Sequence, residues 1–202
     1  EVTRQQLEKA MRFISDTVAA GGIILFVGTK KQVREIIKAK ASEVGMPYIH
    51  DRWIGGLLTN YAVIGKMIKR HQELGQKIAS GKFDNLTKKD RLGMEREFAR
   101  LEEVVGGISN LNKIPEIVFL IDLKREKTAL AEARKMKVPI VALCDTNVNP
   151  QKVDFPIASN DDAVGALSLM MDLLAEAVKE GTSRRTALQI QAPVVANIST
   201  NE

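Results

Sequence analysis

Ile23-Ile24-Leu25-Phe26-Val27-Gly28-Thr29-Lys30 is the stretch on which the fold turns: five apolar residues in a row, then a glycine, a threonine and a lysine. A run that is apolar at every position, rather than at alternate ones, is the pattern of a strand covered on both faces. Gly28-Thr29-Lys30 then reads as the turn into a helix with Val33, Ile36, Ile37 and Val44 on its apolar face. Upstream, Leu7, Met11, Ile14 and Val18 recur at helical spacing, and Gly21-Gly22 stops that helix. Thr3-Arg4-Gln5-Gln6 has the form of a capping box at its start. Downstream, Gly45-Met46-Pro47 closes the second helix, and Tyr48-Ile49-His50 predicts a short strand.

The same rhythm returns further along. Ile117–Asp122 is a second buried run, followed by a helix to about Lys137; Pro139–Asp145 is a third. Asp154-Phe155-Pro156-Ile157 reads as an edge strand, where proline is tolerated. Asn160 is placed to cap a last helix carrying Val164, Leu167, Met171, Leu174 and Val178. Alternating strands and helices imply a parallel sheet with right-handed crossovers, an α/β flavodoxin-like three-layer sandwich. Between the two halves, Val63, Ile64, Met67, Leu74 and Ile78, then Leu92, Phe98, Leu101 and Val105, fall at helical spacing around the turn cluster Ser80–Asn85. That pattern predicts an inserted α-helical coiled-coil hairpin, although the same period suits two helices packed flat. The expected organisation is an α/β domain over residues 1–59 and 106–182, the insertion over 60–105, and a C-terminal tail over 183–202 that is mobile or partner-bound.

Composition narrows the class. The chain has 202 residues with 45% hydrophobic and 27% charged, which excludes a largely disordered protein. No apolar run reaches the roughly 18–20 residues of a membrane span, so no membrane partner is expected. The polar start without Met reads as a cut or processed terminus. A single cysteine, Cys144, forms no intramolecular disulfide and points to a reducing compartment. The net charge of +5 favours a polyanionic partner. That excess is local: between Thr29 and Arg70 nine bases face only Glu35, Glu43 and Asp51, and Lys88, Lys89 and Arg91 form a second cluster. With aromatics at 4%, phosphate contact suits the chain better than base stacking.

In an open parallel sheet, ligands sit beyond the carboxyl ends of the strands. Those ends carry Gly28-Thr29-Lys30, Asp122 and Asp145-Thr146-Asn147, which could hold a phosphate at a helix start and a cation on the carboxylates. There is no G-x-G-x-x-G and no earlier P-loop glycine, so turns and caps are the competing reading. His50 and His71 lack ligand spacing, and no metal or cofactor is expected. Cys144, inside an apolar strand, reads as a small buried hydrophobe. The loop Asp51–Asn60 places the sole tryptophan beside Arg52 and ahead of Gly55-Gly56. It is either a partner-facing loop, with Trp53, Gly55, Gly56 and Asn60 shaping the contact, or a tight turn with Trp53 in the core.

Phe26-Val27-Gly28-Thr29-Lys30-Lys31, Arg52-Trp53-Ile54-Gly55-Gly56-Leu57-Leu58-Thr59-Asn60, Asp145-Thr146-Asn147-x-x-Pro150 and Asn160-Asp161-Asp162-Ala163 occur in that order. Together they make a chain that, from about residue 2 to Gly181, resembles the bacterial-type small-subunit ribosomal protein two family. The resemblance implies a structural constituent of the small ribosomal subunit with a flavodoxin-like domain and a protruding coiled-coil hairpin. It implies binding to small-subunit ribosomal RNA (rRNA) between head and body. Neighbouring ribosomal proteins, the large mRNA-binding ribosomal protein one among them, would dock nearby. It also implies no enzymatic activity, no cofactor, no small-molecule substrate, and a cytoplasmic, bacterial setting, an organellar ribosome being the alternative.

Two departures stand out. The basic N-terminal stretch with a Gly-His element is absent here, and Ile157-Ala158-Ser159 replaces Ile-Pro-Gly. RNA contacts are expected at Lys30, Lys31, Arg52, Lys66, Lys69 and Arg70, then at Lys88, Lys89 and Arg91, with Trp53 bracing its loop. Two other classes compete: a phosphate-handling enzyme using Lys30, Asp122 and Asp145, and a scaffold dimer pairing the 60–105 helices between chains.

Overall fold

The continuous apolar runs are strands buried on both faces. In the computed structural model, which describes residues 1–80 and 87–196, β1 (Ile24–Val27), β3 (Ile117–Leu120) and β4 (Ile140–Cys144) have every residue buried. The edge strands β2 (Tyr48–Ile49) and β5 (Phe155–Ala158) are buried only in part. All pair in parallel, in the order β2-β1-β3-β4-β5. That is the flavodoxin-like order, with its reversal between β1 and β3.

Side chains alternate between two layers, which is why the runs show no polar face. Ile24, Phe26, Ile117, Phe119, Val141 and Leu143 pack with α1 (Val2–Ala19), α2 (Arg34–Glu43) and α6 (Val164–Ala196). Leu25, Val27, Val118, Leu120, Ile140 and Ala142 pack with α3 (Tyr61–Ala79), α4 (Lys88–Val105), α5 (Lys127–Met136) and the Trp53 loop. Gly28 permits the close seat of α2 on β1, because a Cβ there would lie 2.5 Å from Ile37 Cδ1 and 3.1 Å from Val33 Cγ1.

Three local readings need correction. No capping box forms: α1 starts at Val2 with Glu1 as N-cap and no side-chain cap, so Thr3 is already inside the helix. Gln6 instead uses Oε1 to accept the Ala158 N–H at 2.9 Å, tying α1 to β5. Asn160 accepts from the amides of Asp162 and Ala163, at 2.8 and 3.3 Å, but stands four residues before the first helical residue. Of the tail expected over 183–202, the residues up to Ala196 continue α6, and the rest lie outside the described residues. Arg184 bonds Asp16 at 2.7 Å and Ser15 at 3.2 Å, holding that continuation beside α1.

The insertion is an antiparallel helix pair. Arg70 and Glu97 form a two-pronged ion pair at 2.8 Å, His71 stacks on Phe98 with ring centroids 4.9 Å apart, and His71 Nε2 bonds Glu102. Thr87 caps α4 by accepting the Asp90 N–H at 3.2 Å. Ile64, Ile68, Leu74, Leu101 and Val105 are buried in the sheet layer. From Gly75 to Ser80 and from Thr87 to Arg100 no described side chain is buried. The inner half is therefore packed flat and the outer half is exposed. The turn expected over Ser80–Asn85 lies, from residue 81 on, outside the described residues. No helix among the described residues is long and apolar enough to cross a membrane.

Candidate nucleic-acid interface

At the reversal of strand order, the polar groups of the strand ends are paired with the chain's own side chains. Lys30, in the turn after β1, places Nζ 3.0 Å from Asp122 Oδ2, 2.8 Å from Asp161 Oδ1 and 2.9 Å from Asp162 Oδ1. The expected cation on the carboxylates is thus an ammonium. Burial would lower the Lys30 pKa, but hydrogen bonds to Asp161, Asp162 and Asp122 outweigh it and raise the value. Asp122 adopts a left-handed φ of 66°, with Oδ1 accepting the amides of Lys124 and Arg125, both at 3.0 Å. Asp145, Asp161 and Asp162 bring carboxylate oxygens within 4.8 Å of one another, and Lys30 already sits on two of the three.

The phosphate position is filled too. The amide and hydroxyl of Thr29 both donate to Glu126 Oε1, at 3.1 and 2.6 Å, and Arg125 Nε donates to Thr29 Oγ1 at 2.7 Å. Burial raises the Glu126 pKa in spite of those hydrogen bonds and the Arg125 charge. A carboxylate from the start of α5 therefore occupies the place where a bound anion would meet the Thr29 amide.

The Asp51–Asn60 loop is organised around another acid of α5. Glu132 Oε1 accepts Trp53 Nε1 at 3.0 Å and the Gly56 amide at 2.8 Å. Its Oε2 accepts the Leu58 amide, the Thr59 amide and the Thr59 hydroxyl, at 3.1, 3.2 and 3.1 Å. Burial alone would raise this carboxyl; the hydrogen bonds from Trp53 and the Gly56, Thr59 and Leu58 amides reverse the sign and lower its pKa. Trp53 is 8% exposed. It is a core residue that braces the loop. Gly56 needs its glycine at a φ of 89° and is half-buried, while Gly55 and Asn60 are exposed. One sequence signal marks Glu132: it shares with Ala129 and Ala133 the buried face of α5.

The bases divide into two groups. Lys30 has a side chain only 16% exposed and three carboxylate partners, so it does not face outward as expected. Arg34 pairs with Asp51 at 2.6 Å, Lys40 with Asp172 at 2.6 Å, Arg70 with Glu97, and Arg91 with Glu95 at 2.9 Å. Lys31, Arg52, Lys66, Lys69, Lys88 and Lys89 are exposed and make no ion pair among the described residues. Lys66 and Lys69, three apart on α3, share one helix face. Cys144 is buried, and that burial pushes its thiol pKa up.

A family model described as ribosomal protein S2 matches residues 1–181. The chain belongs to the ribosomal protein S2 family. Among curated relatives, the small ribosomal subunit protein uS2 of Mycobacterium leprae is 44% identical over 183 residues, 91% of this chain and 66% of the relative. The protein of the same name from Nocardia farcinica is 44% identical over 186 residues, 92% and 65% respectively. That of Rhodococcus opacus gives the same figures. The chain thus spans just under two thirds of the length of these relatives. Membership gives the paired strand ends and the braced loop a common setting, a family of ribosomal proteins.

Proposed function

We propose that this protein is a structural component of the small ribosomal subunit, bound to small-subunit rRNA in the bacterial cytoplasm and carrying no catalytic activity. The observation that carries this reading is the placement of charge. The acids at the strand ends are satisfied inside the chain by Lys30 and by backbone amides. Unpaired lysines and Arg52 lie on the outside. Family membership supplies the partner class. Lys31, Arg52, Lys66 and Lys69, with Lys88 and Lys89, are the proposed phosphate contacts, displacing counterions from the RNA as they dock. Gly55 and Asn60 supply the exposed rim of the braced loop, where a neighbouring ribosomal protein, such as the large mRNA-binding protein one, would dock. The scaffold-dimer reading has less support, because Ile64, Ile68, Leu74, Leu101 and Val105 are already buried within one chain.

Sedimentation of a cell lysate through a sucrose gradient tests the proposal. The chain is expected to travel with small subunits through moderate salt and to leave them after ribonuclease. Slow sedimentation as free protein under every condition would refute it.

A further inference from the structure

Six basic residues are exposed between Lys124 and Lys137, and the two acids of that segment, Glu126 and Glu132, are both buried. Counting charge along the sequence hides this, because those acids offset bases they do not meet at the surface. The exposed bases do not point at random. Lys127 and Arg134 fall at i and i+7 on one flank of α5, and Lys137 is its C-cap, in a left-handed conformation at φ 55°. Lys152, in the short 3-10 turn before β5, faces them. Two adjoining concavities of about 260 and 330 Å³ share Lys152; the first also meets Lys124 and Lys127, the second Arg134 and Lys137. None of these five bases makes an ion pair among the described residues. The one acid on the rim, Asp154, uses Oδ2 to accept the Ile140 amide at 2.9 Å. Thr128 and Glu132 turn to the other side of α5, toward the Trp53 loop.

We propose that the flank of α5 formed by Lys124, Lys127, Arg134, Lys137 and Lys152 is a second contact face for the sugar-phosphate backbone of structured RNA, additional to the α3 lysines. This rests on the reading of the protein as an RNA-bound ribosomal component. Ten residues of helix give the strip a length of about 15 Å, enough for several consecutive phosphates. Four of the five bases are lysines, which meet phosphate as point charges, and no tryptophan, tyrosine or phenylalanine lines the two concavities. An acidic polypeptide would present the same charge, but family membership favours RNA.

The test uses the whole 202-residue chain, a small-subunit rRNA transcript and a potassium chloride series. Lys127→Gln/Arg134→Gln/Lys152→Gln is expected to flatten the slope of log affinity against log salt by about 3, near one per lost phosphate contact. The melting temperature should hold, since no ion pair is removed. Lys124→Gln/Lys137→Gln gives an independent loss of about 2. Lys66→Gln/Lys69→Gln serves as the separate reading of the α3 lysines. Strip variants with the wild-type slope, beside an α3 variant that loses affinity, overturn the proposal and leave the function standing. A wild-type chain that does not bind the transcript overturns both. Polyglutamate bound as tightly as the transcript, and lost in the strip variants, overturns it in favour of an acidic protein partner.

Discussion

Replacing Glu132 by alanine takes the common acceptor away from five donors on the Trp53 loop. The bonds from Trp53 Nε1 and the Leu58 amide are buried, so water does not substitute, and each orphaned donor costs about 1–3 kcal/mol. The other three bonds are part-buried and add about 0.5 kcal/mol each once water takes over. The expected loss is about 3.5–7.5 kcal/mol, a large share of the roughly 5–15 kcal/mol of a typical domain. With a urea slope of about 2 kcal/mol per molar, the midpoint falls by more than 1 M. Trp53 is the sole tryptophan, so its fluorescence reports both the unfolding and the loop itself. Glu132→Gln keeps the shape but sets an amide NH₂ against donors, and should lose about half as much. The pH dependence has a definite sign. A carboxyl with a lowered folded pKa stabilises above its unfolded value, near 4.3, and loses that contribution as pH falls through the folded value. The gap between wild type and Glu132→Gln should therefore be full at neutral pH and narrow in acid. A Glu132→Ala unfolding free energy within about 0.5 kcal/mol of wild type, with unchanged emission, would refute the reasoning.

Lys30→Met leaves the Asp122, Asp161 and Asp162 carboxylates facing one another without the ammonium; because the site is partly open to water, the expected loss is about 2–3 kcal/mol by urea unfolding. Gly107→Ala should cost more than Gly28→Ala. The new methyl at 107 meets the backbone oxygen of Tyr48, which cannot yield, for about 2 kcal/mol or more; at 28 it meets the end of the Ile37 side chain, for about 1 kcal/mol. Cys144 should react slowly with a thiol reagent in the folded protein and fully in urea, since burial both shields the thiol and pushes its pKa up. Fast reaction under native conditions would contradict its place in β4.

Elements whose signal is apolar periodicity were legible in the chain. The strands from Ile24, Ile117 and Ile140 and the helices on either side of them depend on which residues are apolar, and burial follows that pattern directly. What was not legible was pairing between distant residues. Thr29 and Glu126 are 97 positions apart, and Lys30 and Asp161 are 131 apart. Nothing in local spacing distinguishes a lysine awaiting a phosphate from one already held by three carboxylates. Trp53 left two readings open for the same reason, because the acceptor that draws its indole inward stands 79 positions away on α5. The capping box failed on a smaller scale: Thr3 and Gln6 have the right spacing, but α1 begins two residues earlier, and the Gln6 side chain finds a partner in β5.

The internal pairing at the strand ends has a consequence for how this sheet can be used. A doubly wound sheet offers a ligand unpaired amides at a helix start and carboxylates with room for a cation. Here Glu126 occupies the first and Lys30 the second, and each joins segments that the fold must hold together: the β1 turn to the start of α5, and the β1 turn to the segment before α6. A small anion would have to displace a buried carboxylate that bonds both the amide and the hydroxyl of Thr29, and the acid it displaced would then be left without those donors. The same arrangement that pairs the strand-end groups internally also makes the outer surface more basic, since Asp122, Glu126, Glu132 and Asp161 are all buried. A net charge of +5 counted over the whole chain thus understates what a polyanion meets at the surface.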